Sequence, residues 1–231
     1  MASKPGVSVR VWLSLGTRFM PFADVATAEM PLSRLLRLSL FQLSVGMVQT
    51  LFVGTLNRVM ILELRVPASL VAIMLAIPLL AAPFRALIGF KSDTHKSILG
   101  WKRVPFLWGG TMLQFAGLSI MPFALLVLSD GPRVGPSWIG HAGTALAFLL
   151  VGAGAHTTQT AGLALATDVV SEDKRPRVIA LMYLMMLMGT LISALFLESV
   201  LRDFTPLRLI QVIQGTAVFT IVVRRHRSAD C

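Results

Sequence analysis

The stretch AHTTQTAGLALATD, Ala155 to Asp168, sets one histidine, one glutamine and four threonines inside a strongly apolar segment. Neutral imidazole ligates metals, including the magnesium of a chlorophyll-type ring. The neighbouring amide and hydroxyls donate and accept hydrogen bonds. In a helix each residue turns by about 100°. Measured from His156, Gln159 then lies at about −60°, Thr160 at about +40° and Thr167 at about +20°, one polar stripe. Gly154 and Thr158 fall on the opposite side, and Gly162 follows Thr158 at i+4. Small residues at that spacing let a second helix approach closely. One face is therefore suited to tight packing, and the other to holding a polar or metal-bearing group. A histidine satisfied by helix–helix hydrogen bonds fits the same pattern.

Other polar residues also stand in apolar surroundings. Gln42, Gly46 and Gln49 share one helical face, with Asn57 near it. Such a stripe faces protein or a water-filled cavity rather than lipid. It reads either as interhelical hydrogen bonding or as a cavity wall. Arg58 and Glu198 are expected at similar depth, so they are a candidate charge pair, with Glu63 a competing partner for Arg58. Arg85 has Asp93 or Asp168 as candidate partners. Both arginines can instead extend their head groups to the membrane surface.

The elements that position these residues follow from composition. Hydrophobic residues make up 55% of the 231, charged residues 14%, and the mean hydropathy is +0.75. Soluble domains carry roughly 25% charged residues, so this chain reads as an integral membrane protein. A membrane-crossing helix needs about 20 apolar residues. Segments of that kind run about Leu36–Leu62, Ala68–Phe90, Val104–Leu128, Gly140–Thr167 and Val178–Leu201, with a shorter sixth at Leu207–Val223. They are named spans 1 to 6. The expected fold is all-α, with six transmembrane helices. Strands are excluded because no alternating pattern of about ten residues occurs.

The net charge of +10 is distributed as a topology signal. With the N-terminus inside, the outer segments hold only Arg65, Arg133, Arg202 and Arg208, and most other Lys and Arg lie inside. That bias predicts cytoplasmic termini, N-in/C-in, and affinity for anionic headgroups rather than nucleic acid. Residues 1–34 read as a cytoplasmic tail, not a signal peptide, in which VRVWLSLGTRFMPF suits an interfacial helix. Residues 35–223 form the membrane domain, and 224–231 a second cytoplasmic tail. Cys231 permits no internal disulfide. No phosphate loop, HExxH or paired membrane carboxylates occur, so the chain is not expected to be an enzyme or to bind a metal directly.

GFKSDTHKSILGWKR, Gly89 to Arg103, returns the chain to the membrane within a short loop. Gly89 and Gly100 ease turns, and Lys91, Lys96, Lys102 and Arg103 hold the loop inside. Asp93 can cap the next segment or pair with a basic residue. The order Gly, Asp, then Gly followed by basic residues resembles the loop signature of the major facilitator superfamily, lengthened between Asp93 and Gly100. PLSRLLRLSLFQ, GTLNRVMILEL, APFRALIGFKSDTHKSILGWKRVPFLW, LQFAGLSIMPFALL, GAGAHTTQTAGLALATD, RPRVIALMY and PLRLIQVIQG together resemble the PucC/LhaA, or bacteriochlorophyll delivery, family of phototrophic bacteria. The likeness runs from about Pro31 to about Thr216 and looks closer to the LhaA side, which serves the core antenna.

That resemblance implies the N-terminal half of a major facilitator fold. It implies an inner-membrane assembly factor that brings light-harvesting polypeptides and bacteriochlorophyll together. The implied partners are antenna α and β polypeptides, the reaction centre and pigment-synthesis enzymes. His156, with Gln159 and Thr160 beside it, becomes a candidate pigment contact. Gln42, Gln49 and Asn57 stay candidate cavity walls on the strength of their polar stripe alone. The family has about twelve spans in two related halves, as in other major facilitators. This chain stops after six, and FTIVVRRHRSADC departs from the family's continuation, so it reads as a truncated or frameshifted copy. A half-transporter for a small molecule such as a tetrapyrrole, working as a dimer, is the alternative.

Overall fold

A computed structural model describes residues 32–95, 103–130 and 136–228. The proposed interfacial helix, the middle of the loop after span 2 and the last residues lie outside the described residues. Among the described residues every regular element is helical. Five helices are long and apolar enough to cross a membrane, and Pro206–Val222 is a shorter apolar one. The chain is an all-helical membrane protein.

Span 1 begins as α1, Leu32–Thr50, and continues through π-helical turns at Leu51–Leu56 and Val59–Glu63. It ends where Arg65 adopts a left-handed φ of 52°. There Val66 N–H donates to Met60 O, closing the helix before Pro67.

Span 2, expected as one helix, is broken. It comprises α2 (Ala68–Ala76), a 3₁₀ segment (Ile77–Ala81) and α3 (Phe84–Thr94). The cause is Pro78 and Pro83, which lack the N–H groups that would reach Met74 O and Leu79 O in an α-helix. Tighter bonds replace them: Ile77 N–H reaches Met74 O, and Ala82 N–H reaches Leu79 O at 3.0 Å.

Spans 3 to 6 are α4 (Val104–Asp130), α5 (Ser137–Asp168), α6 (Arg175–Leu201) and α7 (Pro206–Ser228). Helix α4 packs most extensively on α5, and α1 on α6, while α7 touches both α1 and α4. The two main pairs rest on glycines. A Cβ on Gly110 would lie 2.9 Å from Gly154 O, and one on Gly154 would lie 2.5 Å from Gly110 O. Likewise a Cβ on Gly46 would meet Met186 O, and one on Gly189 would meet Leu43 O. Backbone contact of this kind draws membrane helices together through dispersion, since lipid offers no hydrophobic drive between them. The expected packing row on span 4 is thus real for Gly154 and Thr158, which face α4. Gly162 faces Phe41 of α1 instead.

One apolar cluster joins Phe52, Leu56, Met121, Phe148 and Leu197, with the Phe52 and Phe148 rings edge-to-face at 4.8 Å. A second joins Leu35, Phe41, Ala166, Val178 and Met182, where α1, the end of α5 and the start of α6 meet. Span 2 is the least enclosed. Its most apolar window is 17% buried, against 44% for spans 1 and 3.

Candidate functional site

Where span 2 breaks, it leaves a cavity of about 360 Å³ between α1, span 2, α5 and α6. That volume is at the lower end of small-molecule sites, which run from about 300 to 1,000 Å³. Its walls are mainly apolar, with Val48, Phe52, Leu75 and Val151 among them. Val53 and Leu79, which also line it, are 64% and 66% exposed, so the cavity opens to the outside of the bundle. Gly152 seats Pro78 against α5: a Cβ there would lie 2.5 Å from Pro78 Cβ and 2.6 Å from Pro78 Cα. One helical turn further along α5, His156 enters the same cavity, with Gln159 beyond it.

The polar stripe expected on span 4 meets a cation. Arg85, at the start of α3, donates from Nη2 to Gln159 Oε1 at 3.0 Å and from Nε to Thr160 Oγ1 at 3.3 Å. The Gln159 amide nitrogen lies 3.7 Å from Met186 Sδ of α6. His156, Gln159 and Thr160 therefore form one constellation with Arg85, and Gln49 joins it from α1. Thr167 instead donates to Ala164 O of its own helix.

Gln42 and Asn57, expected as cavity walls, do not line this cavity. Gln42 is fully buried, and its amide has no hydrogen-bond partner among the described residues. Asn57 is half-buried between the two π-helical stretches. Gln42 and Gln49 share an azimuth but differ in depth. Gln42 sits among the close-packed residues near Phe41, and Gln49 at the level where span 2 breaks.

The charge pairs also differ from expectation. Arg85 pairs with neither Asp93 nor Asp168. Both carboxylates are taken by Arg103, whose Nη1 lies 2.7 Å from Asp93 Oδ1 and whose Nε lies 2.5 Å from Asp168 Oδ2. A second bond runs from Arg103 Nη2 to Asp168 Oδ1 at 3.1 Å. This fork ties α3, the start of α4 and the end of α5 together, a geometry suited to guanidinium. Gly89 lies inside α3 rather than at a turn. Arg58 and Glu198 line one cavity of about 220 Å³ near the other end of the bundle. Among the described residues no ion pair within 4 Å joins them, or joins Arg58 to Glu63. Sequence reasoning missed the role of Arg103, because a basic residue after a loop reads as a topology signal. It missed Gly152 and the break in span 2, although Pro78 and Pro83 signal that break.

These features define a helical membrane protein with an open, largely apolar cavity carrying an imidazole, an amide and a guanidinium. The family described as PUCC protein matches residues 55–225, and the chain belongs to that family. Protein PucC of Rhodobacter capsulatus is 65% identical over 208 residues, covering 89% of this chain and 45% of that protein. Protein PucC of Rhodovulum sulfidophilum is 61% identical over 211 residues, covering 90% and 46%. An uncharacterized protein of the puhA-bchM intergenic region in Rhodobacter capsulatus is 55% identical over 217 residues, covering 94% and 46%. The chain spans about half the length of the curated relatives it matches. No solved structure matches it.

Proposed function

We propose that this chain is a non-catalytic accessory factor in the biogenesis of photosynthetic light-harvesting complexes. In this reading it holds bacteriochlorophyll, or antenna polypeptide and pigment together, in the inner photosynthetic membrane. Antenna α and β polypeptides, the reaction centre and pigment-synthesis enzymes are its partners. The observation that carries the reading is the cavity that His156 enters, in a chain of the PUCC family. A macrocycle with a coordinated magnesium needs one axial donor, an apolar slot and an entry from lipid. His156 supplies the donor. The walls around Phe52, Leu75 and Val151 supply the slot, and the side at Val53 and Leu79 supplies the entry. Bound there, the pigment would be kept from water until a partner takes it.

Purification of the protein from a phototrophic host tests this. Bacteriochlorophyll and antenna polypeptides are expected to co-purify, and the His156→Leu variant is expected to lose most of the pigment. Unchanged pigment content in that variant would show that His156 is not the axial ligand. A second reading, half of a major-facilitator-type tetrapyrrole transporter acting as a dimer, is favoured by one feature. A broken helix beside a cavity within the membrane is how such transporters build substrate sites. Flux in proteoliposomes without antenna polypeptides would favour it.

A further inference from the structure

We propose that Arg85 is an anchor for a carboxylate, and that the cavity therefore prefers an acid with an apolar body over its neutral ester. The inference deepens the pigment reading and rests on it. Bacteriochlorophyll is itself a neutral ester, so the pigment form bound most tightly would be the unesterified acid of the same tetrapyrrole.

Guanidinium offers five N–H donors and is charged at any accessible pH. Arg85 spends one donor on Gln159 Oε1 and one on Thr160 Oγ1, both neutral acceptors. Among the described residues no carboxylate lies within 4 Å of it, and none lines the cavity. The two nearest in sequence logic, Asp93 and Asp168, are both held by Arg103. A cation facing an apolar cavity without a counter-charge is unfavourable until something supplies one. Gln159 and Thr160 fix the plane of the guanidinium, so its remaining N–H groups are held in place for a two-oxygen acceptor. The apolar walls receive the body of the ligand. An unesterified tetrapyrrole and a free fatty acid both carry a carboxylate on an apolar body, and His156 in the same cavity favours the tetrapyrrole.

The full chain, purified in mild detergent, is titrated with four fluorescent probes. They are zinc pheophorbide, its methyl ester, cis-parinaric acid and its methyl ester. The tetrapyrrole acid is expected to bind about tenfold or more tighter than its ester, as a charge-assisted hydrogen bond allows. Arg85→Gln is expected to erase that preference, and Arg85→Lys to keep part of it. The acid-to-ester ratio in the unaltered protein is informative even if a variant fails to fold. Equal binding of tetrapyrrole acid and ester would overturn the anchor while leaving the pigment reading standing. Arg85-dependent preference for the fatty acid, with no tetrapyrrole bound, would keep the carboxylate anchor and overturn the pigment reading. Binding of none of the four would overturn both.

Discussion

The contact between Gly152 and Pro78 holds span 2 against the rest of the bundle, and one methyl group tests it. In the Gly152→Ala variant the new Cβ would start 2.5 Å from Pro78 Cβ and 2.6 Å from Pro78 Cα. Carbon atoms rest at about 3.5–4.0 Å, so the segment must retreat by about 1 Å. The proline ring and main chain cannot rotate away. Carried along the segment to Arg85, that shift takes bonds of 3.0 and 3.3 Å beyond hydrogen-bond reach. Overpacking of this kind costs about 1–3 kcal/mol. Alanine returns about 0.5–1 kcal/mol of helix propensity, leaving a net loss of about 0–2.5 kcal/mol, and a deficit of about 1–3 kcal/mol relative to a glycine-to-alanine change that meets nothing. The control is Gly109→Ala, where nothing lies within 4 Å of the added atom and only the propensity gain remains. Reversible unfolding in mixed micelles, followed by helicity, reads both variants. If Gly152→Ala proves as stable as Gly109→Ala, span 2 is not seated on α5 through Pro78, and the cavity as described does not exist.

Gly110→Ala, one residue from that control, places a methyl 2.6 Å from Thr158 Oγ1 and 2.9 Å from Gly154 O. It is expected to destabilise by about 1–3 kcal/mol in the same assay. A double-mutant cycle between Arg103 and Asp168 is expected to give a coupling of about 1 kcal/mol, the upper end for partly exposed pairs. Raising the salt concentration should weaken it, and a cycle between Arg85 and Asp168 should give none. A cycle between Arg58 and Glu198, which share a cavity without pairing, is expected to give less than about 0.5 kcal/mol. A larger value would mean that the two charges meet in the membrane.

Much of this architecture is legible in residue order. Spans 1 and 3 to 5 emerge close to their expected limits, because a run of apolar residues long enough to cross a bilayer has few alternatives as a helix. The stripe of His156, Gln159 and Thr160 is legible for a similar reason: azimuth on a straight helix follows from spacing alone. Depth and partner do not. Gln42 and Gln49 are indistinguishable by azimuth, yet one is enclosed and the other meets a cavity, because the neighbouring element changes along the axis. Arg85 likewise has Asp93 and Asp168 within reach by sequence, yet both pair with Arg103. Which arginine takes them depends on how α3 and α5 cross, and that is set by Gly152 and the proline break rather than by charge.

The break in span 2 bears on the site in its own right. Within a bilayer, backbone groups that lose their helical partners cannot turn to water, so irregular segments persist only where protein or a cavity covers them. Pro78 and Pro83 each remove a donor, and the 3₁₀ turns at Ile77 and Ala82 restore a partner to the carbonyls so exposed. That repair lets span 2 bend without leaving a stranded polar group. The bend carries Arg85 inward to Gln159 and Thr160 and leaves the gap that His156 and Gln49 line. The same prolines that interrupt the helix therefore create the place, among the described residues, where imidazole, amide and guanidinium converge beside an open cavity. If both prolines were replaced by alanine, span 2 would be free to straighten. Loss of the cavity's ligand binding with an intact helical content would then show that the break builds the site.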